Sequence, residues 1–447
     1  MCGIAVEWNG DINKSLEKIK HRGLVNGIKQ KDNLSFGHVR LPIQGLDPEF
    51  NGPYIDGNNI ILYNGEIYNY KELDSKARCD VQLLKDIAPV FFDGDFAVVK
   101  YNTVNKRIVI YTDRFGKKQL YYRTTKSGLI DGISSEVKSL VNHESEIDMH
   151  YMGWVSRFGY VFDTDLTPIT NIKKFRPGTQ YIIDLFGNII SKLKMPFNSY
   201  FLTNCIPNDL YSLMELSVAR RLVSDIPVCL VYSGGLDSSI ILHHLHKMNQ
   251  NIKIFTVENS DDFTYAERYA KELGYDITPI KIDEDEYENA HYYNELATDL
   301  GSVLPKYSLF KEIAKHGYRV AIGGTGADEV FGGYSRMQRY DTQYNDIFNE
   351  LIYYHLPRVD KLSMAHTIEY RTPYTADYII DFGLKLSYDQ RINKQYLRNA
   401  YKNKLPDYIL NRKKTALKTA LIEGNEIEER NKLLKFYQST IFPRMKQ

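Results

Sequence analysis

Cysteine and tryptophan are scarce: four cysteines (Cys2, Cys79, Cys205, Cys229) and two tryptophans occur in 447 residues. So few cysteines exclude a disulfide framework, and no CxxC pair offers a zinc or sulfur-relay site. That usage predicts a reducing, cytoplasmic compartment. Neither sign of charge is in excess, since 57 Lys and Arg stand against 56 Asp and Glu. No global field draws the chain to nucleic acid or to an anionic membrane, and no basic stripe interleaved with aromatics supplies a local one. No apolar run approaches the roughly 20 residues of a membrane span. The opening MCGIAVEWNG lacks a basic stretch followed by an apolar core, so it does not read as a signal peptide. Internal repeats and low-complexity tracts are absent too.

What is present divides into two halves, as the length alone suggests. The first half carries β-branched and aromatic runs closed by turns: GIAVEW, LSFGHVR, NIILYN, FAVVK, RIVIYT and QLYYR. Its clearest helical stretch is YKELDSKARCDVQLLKDI, and the pattern predicts layered sheets with a helix or two against them. After about residue 200 the rhythm changes. DLYSLMELSVARRL puts Leu210, Leu213, Met214, Val218 and Leu222 on one helical face. Strand-like IPVCLVY, IKIFTV, ITPIKI and RVAIGG then alternate with helical segments, one of them TYAERYAKEL, with Thr264 and Glu267 as a capping box and Gly274 as its stop. Alternation of this kind predicts a doubly wound parallel sheet. The boundary falls in SKLKMPFNSYFLTN, giving units 1–196 and 205–447.

The strongest phosphate signal is VYSGGLDSSI. A strand ends at Tyr232, two glycines let backbone approach a ligand, and a helix starting near Asp237 points its N–H groups at an anion. Ser233, Ser238 and Ser239 add hydroxyl donors. No lysine follows the glycines, so this is no GxxxxGK[ST] loop. AIGGTGADEVFGGY follows another strand of the same expected sheet, and the carboxyl ends of parallel strands share one edge. Asp237 and Asp328 are thus expected to meet at one nucleotide, and carboxylates beside polyphosphate imply Mg²⁺. Read alone, Asp328 and Glu329 also suit a solvated turn. His243, His244 and His246 lack partners for zinc.

In the first half Cys2 stands next to the initiator methionine, whose removal would leave a cysteine at the N-terminus. An α-amino group with a pKa of about 7.7–8.0 can take the thiol proton, so one residue supplies nucleophile and base. LYNGEIYN offers Asn64 and the Gly65 N–H as a donor pair for an oxyanion. Arg40 in GHVRL suits a carboxylate in bidentate fashion, and Asp80 in CDVQLL suits an α-ammonium. Such a set would hold an amino acid by its charged end and attack a side-chain amide.

These motifs, in this order, resemble the glutamine-dependent asparagine synthetases. MCGI, GHVRL, NGEIYN, CDVQLL, DGDFAVV, DRFGKKQLYY and SSEVKSL are similar to the class II glutaminase domain; SGGLDSS, GADEVFGGY and RVDKLSMAHTIEYRTP are similar to the ATP pyrophosphatase-type synthetase domain. The resemblance implies a layered α/β/β/α N-terminal nucleophile fold followed by the doubly wound domain. It implies Cys2 as nucleophile, Asn64 and Gly65 as oxyanion hole, and Arg40, Asn64, Glu66 and Asp80 as glutamine ligands. In the second domain it implies Ser233, Gly234, Gly235, Asp237, Ser238 and Ser239 around pyrophosphate, with Gly324 allowing close approach to the nucleotide. Asp237 and Asp328 would bind Mg²⁺, and Val257 would lie near adenine. Lys361 would meet phosphate or a substrate carboxylate, although a plain helix lysine fits that sequence as well. Lys414 would stabilise an adenylate, with Lys413 competing for the role.

The chain departs from the family at RGLVN (residues 22–26), where RGPD is usual, and at Thr325, where an acid is common. A threonine hydroxyl is no general base near neutral pH, so Glu329 or water is left to take the proton. The expected reaction uses glutamine and ATP to amidate a carboxylate, foremost aspartate, giving asparagine, glutamate, AMP and pyrophosphate. Alternatives are the same machinery on a sugar acid, peptide or secondary metabolite, and a nucleic-acid-modifying pyrophosphatase. A homodimer is left open.

Overall fold

The first half is built on the pleat. In the strand Cys2–Trp8 (β1), Ile4 and Val6 enter a core between two sheets while Ala5 faces the other way. Ala5 packs with Ile12, Leu16 and Ile19 of the helix Ile12–Ile19, which Asp11 caps by accepting the Asn13 N–H. The computed structural model describes residues 2–162, 164–196, 206–258, 262–299, 301–334, 337, 344–412 and 426–447. Further strands of this half are β2 (Val25–Lys31), β3 (Leu34–Arg40), β4 (Tyr54–Asp56), β5 (Asn59–Ile67), β6 (Gly94–Asn102), β7 (Arg107–Thr112), β8 (Tyr121–Thr124), β9 (Ile130–Ser134), β10 (Ile172–Lys174), β11 (Thr179–Asp184) and β12 (Ile189–Lys194). They form two antiparallel sheets, ordered β10-β8-β9-β1-β3-β2 and β12-β11-β7-β6-β5-β4.

Along β5 and β6, Ile60, Leu62, Ala97 and Val99 fill the space between the sheets. Ile61, Tyr63, Phe96 and Val98 face outward under the short helix Tyr70–Leu73 and the 3₁₀ helix Asp80–Lys85. The layers are helix, sheet, sheet and helical turns. The expected long helix over YKELDSKARCDVQLLKDI is therefore corrected to two short pieces. Asp74 accepts the Lys76 N–H at 2.9 Å, and Gln82 folds back on the N–H groups of Arg78 and Cys79. Local side-chain bonds win over helix propagation there. Strands β2 and β12 escape the sequence reading because both are polar, largely exposed sheet edges.

The second half holds one parallel sheet of β13 (Val228–Val231), β14 (Lys253–Val257), β15 (Ile277–Ile280), β16 (Val320–Ile322) and β17 (Glu369–Arg371), ordered β15-β14-β13-β16-β17. Leu230, Ile254 and Ile322 bury against helices Leu210–Arg221, Leu236–Lys247 and Phe263–Glu272 on one face. Cys229, Phe255 and Ala321 bury against Val303–Lys315 and Leu356–Met364 on the other. The sheet is doubly wound. The third helix starts after Asp262 with no side-chain cap, so the Thr264–Glu267 capping box is corrected, while Gly274 at φ +82 ends it as expected. The edge strand β17 had no pattern of its own to announce it.

The two halves share buried surface. Residues Leu434, Tyr437, Ile441 and Met445 of the C-terminal helices return to pack with Tyr121, Val137 and Tyr151 of the first half. Among the described residues no helix is long and apolar enough to cross a membrane.

Candidate active sites

Cys2 opens β1, and the β1–β3 register sets it opposite Arg40. The Cys2 backbone N–H donates to Asn64 Oδ1 at 2.9 Å. With Oδ1 so engaged, the Asn64 amide nitrogen is left buried with no hydrogen-bond partner among the described residues. An orphaned buried donor calls for a ligand, and it lies beside Cys2. Gly65 has φ +153, and a side chain there would strike the Asp95 carbonyl, since a Cβ would fall 2.1 Å from it. Only glycine allows β5 and β6 to close at this point.

Cys2, Arg40, Gly65, Glu66 and Asp80 line one recess of about 380 Å³, open mouth included. The Arg40 guanidinium is directed to neutral acceptors: Asn51 Oδ1 at 3.0 Å, Gln44 O at 2.9 Å and Gly45 O at 2.6 Å. Its charge thus has no ion pair among the described residues and is held ready for a carboxylate. Asp80 Oδ2 accepts from Tyr63 Oη at 2.7 Å and from the Ile67 N–H at 2.8 Å, while burial raises its pKa. Burial, then repulsion from Glu369 and Asp80, pushes the Glu66 carboxyl well above the usual range, making it a donor as well as an acceptor.

Nothing in GHVRL marks His38 as a site residue, and the structure brings it to Cys2. Its Nε2 donates to the Tyr63 carbonyl at 2.8 Å, which leaves Nδ1 to the recess that Cys2 lines. Burial alone would raise the Cys2 thiol pKa. His38 foremost, and Arg40 with it, oppose this, and the thiol is brought down to about 7. With Cys2 as the nucleophile that the resemblance implies, glutaminase kcat/KM should climb about tenfold per pH unit below neutrality and level off above it, because only a thiolate attacks. In a His38→Ala variant burial is less opposed, so the midpoint of the rise should move to higher pH. An unmoved midpoint in the pH–rate profile would dismiss His38.

At the second site the strand order reverses between β13 and β16, and the crevice beyond their carboxyl ends is the position for a ligand. SGGLDSS follows β13 and GGTGADE follows β16. The two loops touch: a Cβ on Gly324 would meet Asp237 Cβ at 3.1 Å and the Ser238 nitrogen at 3.3 Å. Gly234, at φ +71, passes so close to Asp262 and Ala266 that no side chain fits. Gly235 starts the helix Leu236–Lys247. Ser233 and Ser238 hydroxyls lie 3.0 Å apart at its mouth. Val257 ends the neighbouring strand as an apolar wall.

The structure places several expected residues elsewhere. Ser239 is fully buried, bonded to Tyr232 Oη at 3.0 Å, and fastens the helix start rather than facing an anion. Lys361 is buried in an ion pair with Glu295, 66 residues away in sequence, and stacks 4.7 Å from the Tyr121 ring. Its charge is committed there rather than to phosphate. Glu329 is held by Tyr334 Oη at 2.5 Å and His355 Nε2 at 3.1 Å, which removes it from the role of free base. Lys413 and Lys414 lie outside the described residues. In the same stretch Arg412 donates to the Gly234 carbonyl at 3.0 Å and pairs with Asp262, bracing the phosphate loop from behind.

Two residues that sequence reasoning missed complete the picture. Lys394 Nζ lies 2.6 Å from both Asp237 carboxylate oxygens and 2.7 Å from Asp328 Oδ1. Tyr370, on β17, bonds Thr325 Oγ1 at 3.2 Å. Its strand neighbours Glu369 and Arg371 point the other way: Arg371 Nε binds Glu369 at 2.5 Å and Nη2 stands 4.0 Å from Glu66, which lines the recess of Cys2. One three-residue strand therefore reaches a residue of each site, Glu66 on one side and Thr325 on the other.

An amide-hydrolysing cysteine site backed onto a nucleotide-type switch point defines an amidotransferase of two catalytic halves. The comparisons agree on both. A glutamine amidotransferase domain model matches residues 1–86 and 87–192, and an asparagine synthase model matches 209–352 and 339–438. The chain belongs to the asparagine synthase family. Asparagine synthetase [glutamine-hydrolyzing] 1 of Bacillus subtilis is 31% identical over 360 residues, 71% of this chain and 55% of that protein. The asparagine synthetase [glutamine-hydrolyzing] of Gallus gallus is 26% identical over 498 residues, covering 93% and 84%. Amidase chry2 of Gibberella zeae is 27% identical over 377 residues, covering 72% and 55%.

Proposed function

We propose that the chain moves the amide nitrogen of glutamine to the side-chain carboxylate of aspartate, driven by ATP, in a reducing cytoplasm. The division of labour is unit 1–196 for glutamine and unit 205–447 for ATP. The observation that carries it is β17, with Arg371 beside Glu66 of the glutamine recess and Tyr370 beside Thr325 of the nucleotide loop. Two sites bridged by one buried strand can hand over ammonia without its release to water.

Glutamine enters with its carboxylate on Arg40 and its ammonium toward Asp80. The Cys2 thiolate attacks the side-chain amide carbon, and the Asn64 amide and Gly65 N–H receive the oxyanion. The C–N bond breaks as ammonia takes a proton, and water then cleaves the thioester to glutamate. In the other half the aspartate carboxylate attacks the α-phosphorus and pyrophosphate leaves into the Ser233–Ser238 cradle. Asp237 and Asp328 converge on one point, which Lys394 Nζ takes, and so fit a hard cation. Mg²⁺ held by them would screen the polyphosphate charge.

Ammonia attack on the adenylate frees a proton. Thr325 and Tyr370 offer a hydroxyl pair to carry it, and Lys306 offers an acceptor. Burial, then Arg358, lowers the Lys306 pKa to about 7, and its ammonium lies 6.0 Å from the Tyr370 ring. The testing assay supplies ATP, amide-labelled glutamine and aspartate. Labelled asparagine with stoichiometric AMP and pyrophosphate is expected. Glutamine hydrolysis without asparagine, and turnover with another carboxylate, would replace aspartate as acceptor.

A further inference from the structure

Asp237 and Asp328 come from different loops, and two carboxylates that converge in a crevice repel unless a cation lies between them. Here the cation is part of the chain. Lys394 is 95% removed from solvent, being 5% exposed, and its ammonium touches three carboxylate oxygens at 2.6–2.7 Å. The chain goes out of its way to put it there. Asn393 and Lys394 both sit in the left-handed region, at φ 56 and φ 59, where non-glycine residues are strained and persist only when their surroundings hold them. Arg398 Nε grips the Asn393 carbonyl at 2.8 Å, and Leu397, one turn on, is fully buried. Opposite, Gly333 leaves the space that the lysine needs: a Cβ there would fall 2.4 Å from Lys394 Cε and 1.9 Å from Asp328 Oδ1.

A small divalent cation binds carboxylate oxygens at about 2.0–2.1 Å. An ammonium in hydrogen-bond contact with the same three oxygens and that cation exclude each other. We propose that Lys394 is a tethered counter-ion that holds the divalent-cation seat in the nucleotide-free protein, so that the cation enters only together with a polyphosphate. This rests on the ATP and Mg²⁺ reading above. The phosphates supply what the ammonium loses on leaving the carboxylates, since a lysine pairs with phosphate as readily as with carboxylate. Metal and nucleotide then arrive as one ligand, and the free protein does not hold a bare cation in a half-built site.

The test is Mn²⁺ binding, followed by electron paramagnetic resonance on the full chain, with and without an α,β-methylene ATP analogue. Wild type should bind Mn²⁺ at least about tenfold more tightly with the analogue than without it. Lys394→Met leaves two carboxylates uncompensated, so it should bind Mn²⁺ alone at least about tenfold more tightly than wild type, and Mn²⁺ alone should raise its melting temperature. Lys394→Arg keeps the charge and should still exclude the bare cation. Equal Mn²⁺ affinity in wild type with and without analogue overturns the proposal whatever the variants do, as does a Lys394→Met protein no better than wild type. Failure of the analogue itself to bind, read by equilibrium dialysis, brings down the nucleotide reading and the proposal with it.

Discussion

A Cys2→Ala variant should lose glutamine-dependent turnover by at least about 10³-fold while keeping turnover with added ammonium near the wild-type rate. The split follows from where Cys2 sits. Its thiol is brought down to about 7, while Cys79, which lines the same recess, is pushed up strongly by burial and by Asp80. Cys79 therefore cannot stand in. Alanine keeps the backbone N–H that binds Asn64 and the register with Arg40, so the recess should still bind glutamine. The synthetase crevice is built from β13, β16 and the loops after them, and among the described residues none of these lines the recess that holds the thiol. Steady-state assays with glutamine, then with ammonium chloride, read the two halves separately. Loss of both activities would mean that Cys2 shapes the second site, and the two-site scheme would fall.

The parts of this enzyme that were legible in sequence are those whose chemistry is local. Cys2 beside the start of the chain, NGE in one strand and SGGLDSS in one turn each announce themselves within a few residues. So does the doubly wound sheet, because buried parallel strands are continuous apolar runs. Lys394 was illegible because its partner Asp237 is 157 residues away and nothing in KQYLRNA marks an unusual backbone. His38 gains meaning only once β1 and β3 pair, Ile4 against His38 and Cys2 against Arg40. Strand β17 is three residues long and borrows its extended form from β16, so no period of two could reveal it. Thr325 posed the right question from sequence, since the family's acid is missing, but its answer, Tyr370, lies 45 residues on. Lys361 and Ser239 failed the other way: motif membership placed them at phosphate, and burial with Glu295 and Tyr232 placed them in the framework.

That framework makes the strongest stability prediction, at Arg22 in the RGLVN stretch where the chain leaves its family's pattern. The guanidinium is fully buried and spends its fork on three acceptors: the Cys2 carbonyl at 3.0 Å, Glu136 at 2.8 Å and Asp360 at 2.9 Å. Asp360 belongs to the helix Leu356–Met364 of the second half, so one side chain ties the Cys2 peptide to both halves. Arg22→Met would leave two buried carboxylates short of a cation. Glu136 would keep Lys138 and Asp360 would keep Lys118, which places the loss near the lower end of the range for a broken buried pair, about 3 kcal/mol. Burial opposes both carboxylates' low pKa values, and neighbouring cations win: Glu136 is held well below its usual value and Asp360 below its own. A depressed carboxylate pKa adds stability that is full above the unfolded value of about 4 and is lost as pH falls through the folded one. Without Arg22 both folded values rise, so acid unfolding should begin at higher pH than in wild type. Arg22→Lys should recover only part of the loss, because a single ammonium cannot serve three separated acceptors as a planar fork does. Melting scans across pH 3–7 read the shift directly. An unchanged acid limb in Arg22→Met would show that Lys118 and Lys138 alone hold these carboxylates, and that the two halves are joined by packing rather than by this charge.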